Sequence, residues 1–172
     1  MKVEILFFMV FSIFVKVVEI NCISYNIKKI ESCETTGKSL DIEKCEANGE
    51  QISVTLFIKT LKDINVQFEL FQLQDSKPRQ LFKAPVIDWC KNIKQKNSNS
   101  SPLNKIILDV AKEQAPEFVR PCPWSGYYSF SNLTINRKVV MVFPAGIYRF
   151  ILKAFNNEDK RLLKVSVLAE MY

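Results

Sequence analysis

The chain has 172 residues, a net charge of +6 and no histidine. This excludes serine–histidine and cysteine–histidine nucleophile pairs, histidine general bases and histidine metal ligands. Only four glycines are present, too few for a glycine-rich phosphate loop. The basic side chains are scattered among acidic ones, which is typical of a solvated surface rather than of a stripe that binds nucleic acid.

The N-terminus has the pattern of a secretory signal peptide. Lys2 precedes an apolar run over residues 5–15, and Lys16 and Glu19 end that run before it reaches the roughly 20 residues of a membrane span. We predict cleavage near Cys22, so that residues 1–22 are the signal and residues 23–172 form one domain of a secreted, extracellular protein. The alternative is a signal anchor that stays in place.

The cysteines fit an oxidising compartment. If cleavage removes Cys22, four cysteines remain, and four cysteines allow three pairings that sequence alone does not distinguish. No pair has the CxxC spacing of a zinc site, so we predict no metal and no cofactor. We favour bridges between sequence neighbours, which would stabilise the fold by about 3 and about 3.5 kcal/mol in the chain-entropy model. These bridges are Cys33–Cys45 and Cys90–Cys122.

The first half of the mature chain follows a period of two, which predicts β-strands. The expected early strands cover residues 25–32, a short stretch from 45, 52–60 and 65–73. In the third of these, Ile52, Val54, Leu56 and Ile58 share one face. The four residues 61–64 suit a tight antiparallel connection between the last two strands.

The second half contains one helix and three strands. Ser101 and Pro102 suit a helix start, and Leu103, Ile106, Ile107 and Val110 then share one helical face. The later strands are expected at residues 127–135, 147–155 and 161–169. About seven to eight antiparallel strands with one short helical excursion predict an all-β fold, a two-sheet β-sandwich.

The inward side chains would form either a solid core or a lipid pocket between the sheets. Both use the same apolar residue types, so periodicity does not separate them. If a pocket exists, its lining is expected from the inward faces of four strands. The candidate lining residues are Val54, Leu56, Ile58, Phe68, Leu70, Phe150 and Leu152.

Two N-glycosylation sequons begin at Asn99 and Asn132. Asn132 raises a difficulty, because in a regular strand it shares a face with Tyr128 and Phe130. Three explanations remain open: a β-bulge reorients the strand, the two aromatic residues face outward, or no glycan is attached.

An ordered set of motifs runs through the C-terminal half. It reads Asp88-x-Cys90, Cys122-Pro123-x-x-Gly126-x-Tyr128, Asn132-x-Thr134 and Pro144-x-Gly146-x-Tyr148. Over roughly residues 25–170 the chain resembles a family of small secreted insect proteins of unknown function, which is similar to the ML lipid-recognition superfamily and to secreted chemosensory proteins. This resemblance implies an immunoglobulin-like sandwich that holds a lipid or other apolar molecule between its sheets. It also implies the Cys90–Cys122 bridge.

The sequence leads to three functional hypotheses. The first is a secreted, non-enzymatic carrier of a lipid or small hydrophobic ligand, acting in chemosensory or extracellular signalling. The second is a protein-interaction module with a closed core, which binds an extracellular receptor through an exposed aromatic rim at Trp124 and Tyr127. The third, a carboxylate-dependent hydrolase, is disfavoured because the acidic residues form no recognisable site. No catalytic residue is predicted.

Overall fold

The computed structural model describes residues 24–36, 39–74, 77–94, 102–135, 143–157 and 160–172, with the side chains of 102–104 left aside. The expected signal peptide and the sequon at Asn99 lie outside the described residues. Within these ranges the chain forms nine strands, two α-helices and one 3-10 turn. They are β1 (Tyr25–Thr35), β2 (Leu40–Asn48), β3 (Gln51–Leu61), β4 (Asn65–Gln74), β5 (Lys77–Lys83), β6 (Ile87–Asp88), α1 (Trp89–Lys94), α2 (Pro102–Gln114), the 3-10 turn (Pro116–Val119), β7 (Trp124–Thr134), β8 (Gly146–Phe155) and β9 (Arg161–Met171).

The strands form two antiparallel sheets. The larger sheet has the order β1-β9-β8-β4-β5, with the short β6 also paired to β4, and the smaller sheet has the order β2-β3-β7. Buried side chains from both sheets share one core. The predicted antiparallel two-sheet sandwich is therefore confirmed.

Strand β3 shows why this sequence builds a sandwich. Val54, Leu56 and Ile58 are buried, while Gln51 and Lys59 are exposed. Because successive side chains of a strand point to opposite faces, the period-two pattern turns one face into core and leaves the other to solvent. The predicted inward face of this strand is confirmed.

The connection between β3 and β4 differs from the expected tight antiparallel turn. β3 belongs to the smaller sheet and β4 to the larger one, so residues 61–64 cross from sheet to sheet. Leu61 and Ile64 are both buried, and the Ile64 carbonyl accepts a hydrogen bond of 2.8 Å from the Trp89 amide. Because two of the four connecting residues are apolar and become buried, the connection crosses the end of the core instead of lying at the surface.

The helical region also departs from expectation. α1 and the 3-10 turn were not predicted, and Ile106 on the predicted inward face of α2 is 57% exposed. Ile107, also on the predicted face, packs on the core together with Leu108 and Ala111, so the inward face is rotated from the predicted one. Gln114 explains this rotation: its Oε1 accepts 3.2 Å hydrogen bonds from the amide and hydroxyl of Thr134, and residues 107, 111 and 114 lie on one helical face.

Two disulfides join elements that the sheets leave apart. Cys33 in β1 of the larger sheet is bonded to Cys45 in β2 of the smaller sheet, with 6.5 Å between Cα atoms. Cys90 in α1 is bonded to Cys122, just before β7, with 5.7 Å between Cα atoms. The structure therefore has the pairing favoured from the sequence.

The interior has two ends. We call the cluster of Tyr25, Ile27, Leu70, Tyr148, Val167 and Met171 the solid end. There the fully buried Tyr148 hydroxyl donates to the Pro144 carbonyl at 2.8 Å, and burial raises the pKa of this phenol. We call the opposite region, where β3 crosses to β4, the cavity end.

Candidate ligand-binding site

The cavity end contains a cavity of about 160 Å³ between the two sheets. Strands of both sheets, the β3–β4 connection, both helices and the 3-10 turn contribute to its wall. The lining residues are Leu40, Leu56, Ile58, Leu61, Ile64, Val66, Phe68, Trp89, Ala111, Phe118, Trp124, Leu152, Ala154, Leu162 and Leu163.

The wall is apolar throughout. Its two indole N–H groups present no polar atom to the cavity, because each is hydrogen-bonded to a backbone carbonyl. Trp89 Nε1 donates to the Phe118 carbonyl and Trp124 Nε1 donates to the Arg120 carbonyl, each at 2.9 Å. Both tryptophans therefore present ring carbons to the cavity. A water molecule needs two to four polar partners, and this wall offers none, so the cavity suits an apolar occupant.

The 3-10 turn closes one side of the cavity with Phe118. The Phe118 ring lies 4.2 Å from the Phe130 ring and 5.1 Å from the Trp124 ring, measured between centroids. The Cys90–Cys122 bridge ties the segment after this turn to α1. Phe118 is thus held by aromatic stacking on one side and by a covalent link in the chain that follows it.

Four of the seven candidate lining residues reach the cavity and three do not. Leu56, Ile58, Phe68 and Leu152 line it. Val54 is buried in the core outside the cavity wall, and Leu70 and Phe150, which pair across β4 and β8, pack at the solid end. The reason is position along the strand: a shift of two residues keeps the inward face but moves a side chain about 7 Å toward the other end.

Several lining residues were missed from the sequence. Trp89, Ala111, Phe118 and Leu162 come from helices, a turn and the start of a strand, where the period-two pattern gives no signal. The adjacency of Trp89 to Cys90 was the available clue, since a bridged cysteine holds its neighbour against the core.

The prediction of an exposed aromatic rim is wrong for Trp124. Trp124 is 4% exposed and lines the cavity, while Tyr127 is 68% exposed. Trp124 turns inward because its N–H reaches the Arg120 carbonyl and its ring packs against Phe118. Tyr127 instead packs on Phe57, its partner across β3 and β7, at 4.8 Å between ring centroids.

Two partly buried charge pairs lie on the outer face of the larger sheet, away from the cavity. Arg149 donates through Nη2 to Glu31 Oε1 at 2.8 Å and through Nε to Glu31 Oε2, and Ser166 also donates to this carboxylate. The hydrogen bond from Arg149 lowers the pKa of Glu31 and raises that of the guanidinium. Lys153 Nζ donates to Glu69 Oε1 at 2.7 Å on the same face.

The part of the chain that the structure describes has neither a metal-binding cluster nor a membrane-spanning helix. No group of three or more cysteine, aspartate or glutamate side chains there could hold a metal ion. Among the same residues, no helix has both the length and the apolar character needed to cross a bilayer.

Asn132 sits in a β-bulge, which is one of the three explanations left open by the sequence. The register of β3 with β7 shifts between Phe130 and Leu133, and Asn132 has φ = 61°. Tyr128 and Phe130 are buried, whereas Asn132 is exposed. The extra residue turns the asparagine side chain out while the two aromatic rings stay in the core.

Two solved structures are similar to this chain. The crystal structure of chicken MD-1 complexed with lipid IVa matches 87% of this chain and 99% of its own, at 10% identity and a TM-score of 0.37. A Niemann-Pick type C2 protein from Japanese carpenter ant matches 86% of this chain and 98% of its own, at 13% identity and a TM-score of 0.33. No protein-family model and no curated protein matches the chain. The two sheets of the chain itself define its fold, and the family resemblance in the sequence stays a prediction.

Proposed function

We propose that the protein binds a small apolar ligand, or the end of a lipid chain, in the cavity between its sheets. The observation that carries this proposal is the cavity of about 160 Å³ with an apolar wall. Binding is driven by removal of apolar surface from water, at about 25 cal/mol per Å². The protein then acts as a non-enzymatic carrier or receptor for a hydrophobic molecule.

The volume of the cavity limits the size of the ligand. An apolar cavity of about 150 Å³ stays dry and holds benzene, whereas pockets for larger ligands measure about 300–1,000 Å³. The present cavity of about 160 Å³ therefore suits one group of about benzene size, such as the terminal segment of an acyl chain. A complete long-chain lipid requires a wider cavity than this one.

The test is a titration with benzene, the simplest probe of this size. A ligand that binds only the folded state at ten times its Kd raises the free energy of unfolding by about 1.4 kcal/mol. The measurement is thermal unfolding with and without benzene, together with shifts of the methyl NMR resonances of Ile58 and Leu152. Mass spectrometry of an organic extract of the purified protein identifies any natural occupant.

Matched alanine-to-leucine variants locate the binding. Ala154→Leu adds three carbons to a lining residue, so we expect it to abolish the benzene effect. Ala47→Leu makes the same change at an exposed position of β2 and should leave the effect intact. Absence of any benzene effect on the wild type, or an equal loss in both variants, refutes binding in the cavity.

We also propose that the protein is secreted and glycosylated. The signal-like residues 1–22, the two disulfides and the exposed sequon asparagine at position 132 support this proposal. N-terminal sequencing of protein secreted by insect cells tests the cleavage site. A loss of mass on treatment with an N-glycan amidase, which disappears in Asn132→Gln but not in Asn99→Gln, assigns a glycan to Asn132.

A further inference from the structure

The outer edge of the larger sheet exposes several large apolar side chains. All seven residues of β5 are exposed, among them Leu81 at 40% and Phe82 at 43%, and Val86 in the loop that follows is 56% exposed. Single exposed apolar residues are ordinary, but three within six positions are not, and such a group marks an interaction surface. We call residues 77–86 the β5 edge.

The β5 edge is also basic. Lys77, Arg79 and Lys83 lie within one seven-residue strand, and residues 77–86 include no aspartate or glutamate. Lys83 Nζ is 3.9 Å from the buried Glu69, and the same carboxylate is held more closely by Lys153 at 2.7 Å. The combination of exposed apolar side chains with cations of one sign fits an acidic, apolar partner.

A second copy of this edge is a poor partner. Pro78 has no amide hydrogen to donate to an added strand, and edge lysines and prolines are features that oppose strand addition. Two β5 strands brought together would also place three cations of each copy beside those of the other. A lipid bilayer accepts apolar side chains and cations without strand pairing.

The β5 edge reaches the cavity at its C-terminal end, whereas β5 itself pairs with residues 69–74 of β4, toward the solid end. The Ala84 amide donates to the Phe68 carbonyl at 2.8 Å, and Gln67 Nε2 donates to the Ala84 carbonyl at 3.1 Å. Ile87, which follows the edge, pairs with Val66. Since Val66 and Phe68 both line the cavity, the edge is bonded to the strand that forms one wall of the proposed ligand site.

From these observations we infer that the β5 edge docks on the surface of a bilayer rich in anionic lipid. Phe82, Leu81 and Val86 enter the interface between headgroups and acyl chains, and the cations lie at the headgroups. The surface itself follows from charge and exposure alone. Its use, to bring the cavity beside a source of apolar ligand, rests on the function proposed above.

Vesicle flotation tests the inference. Purified protein is mixed with vesicles of phosphatidylcholine, or of phosphatidylcholine with 30% phosphatidylserine, a composition chosen for the experiment as roughly that of an anionic leaflet. We expect the wild type to float with the anionic vesicles. Each cation near an anionic surface contributes about fivefold to the partition coefficient, so Arg79→Glu should lower it by at least about fivefold.

Two control variants make the result specific. Lys44→Glu makes the same charge change on the edge strand of the other sheet, and Ile106→Ser removes an apolar side chain that is 57% exposed on α2. We expect both to float like the wild type, whereas Phe82→Ser/Val86→Ser should lose most of its binding. If the wild type does not float, or if Arg79→Glu and Lys44→Glu lose binding equally, the inference is overturned.

The benzene titration separates this inference from the proposed function. The titration contains no lipid. If the protein binds benzene but does not float with vesicles, only the docking surface is refuted. A protein that floats through the β5 edge but shows no benzene effect refutes only the cavity as a ligand site.

Discussion

The solid end and the cavity end are built from the same strands, yet Tyr148 and Met171 are packed to full burial at the first and a cavity lies at the second. On β4 and β8, Leu70 and Phe150 belong to the solid end, and the pair Phe68 and Leu152, two residues away, faces the cavity. The inward side chains are of the same kind at both ends. The difference therefore lies in the segments that close each end.

Polar tips of buried aromatic residues explain how the ends are closed. At the solid end, Tyr25 Oη donates to the Glu50 carbonyl at 3.1 Å and accepts from the Ile135 amide at 2.9 Å, which draws both neighbouring segments onto the core. At the cavity end, Trp89 and Trp124 instead bond to carbonyls of the segment after α2. These bonds tie that segment to the two indoles, and both indoles and Phe118 of the segment line the cavity.

The largest difference between the ends should come from Tyr148. Its side chain is fully buried at the solid end, and large-to-small changes of this kind cost about 3–5 kcal/mol. We expect Tyr148→Ala to lower the free energy of unfolding by that amount in urea denaturation. Tyr148→Phe, which keeps the ring, is the control; a loss as large in this variant would contradict packing as the main cause.

Removal of either disulfide should cost about as much stability but affect the ends differently. We expect Cys90→Ala/Cys122→Ala to cost about 3.5 kcal/mol and to weaken benzene binding, because this bridge holds the residues beside Trp89 and Trp124. Cys33→Ala/Cys45→Ala should cost about 3 kcal/mol and leave benzene affinity unchanged. Denaturation and benzene titration of both variants check this, and equal benzene affinities would contradict it.

Substitution of one buried alanine at each end compares how much unfilled space the two ends contain. Ala169, opposite Tyr148, is fully buried, and Ala154 lines the cavity. Ala169→Leu should cost about 1–3 kcal/mol through overpacking, whereas Ala154→Leu fills existing space and should cost less than about 1 kcal/mol. Thermal or urea unfolding of both variants measures the difference, and an equal cost would mean that the ends are equally packed.

The smallest effect should come from the outer face behind the solid end. The hydrogen bond from Arg149 holds the pKa of Glu31 below its ordinary value of 4.5, so the contribution of this carboxylate to stability is full above that pH and is lost as the pH falls through the folded-state pKa. We expect Glu31→Gln to cost about 1 kcal/mol at pH 7 and less below pH about 4. Unfolding free energies across pH 3–7 check this; a difference that does not shrink on acidification would contradict it.

The sequence predicts the sheets better than it predicts the site. The inward face of β3 is set by alternation at Val54, Leu56 and Ile58, and a register slip would expose all three, so the pattern is decisive. The position of the cavity depends on which part of β4 and β8 the closing segments cover. Alternation does not carry this information, because Leu70 and Phe68 share the inward face of β4 and only Phe68 lines the cavity. The closing segments themselves, α1 and the 3-10 turn, are joined by the hydrogen bond from Trp89 to the Phe118 carbonyl, a contact between residues 29 apart that no local pattern shows.

The two indoles at the cavity wall also make the protein its own optical reporter. Trp89 and Trp124 are the two tryptophans of the whole chain, and both rings face the cavity. All tryptophan emission therefore originates at the proposed site, with no background from elsewhere in the fold. Entry of an apolar molecule changes the surroundings of both fluorophores at once, so ligand uptake can be followed in unlabelled, unmodified protein.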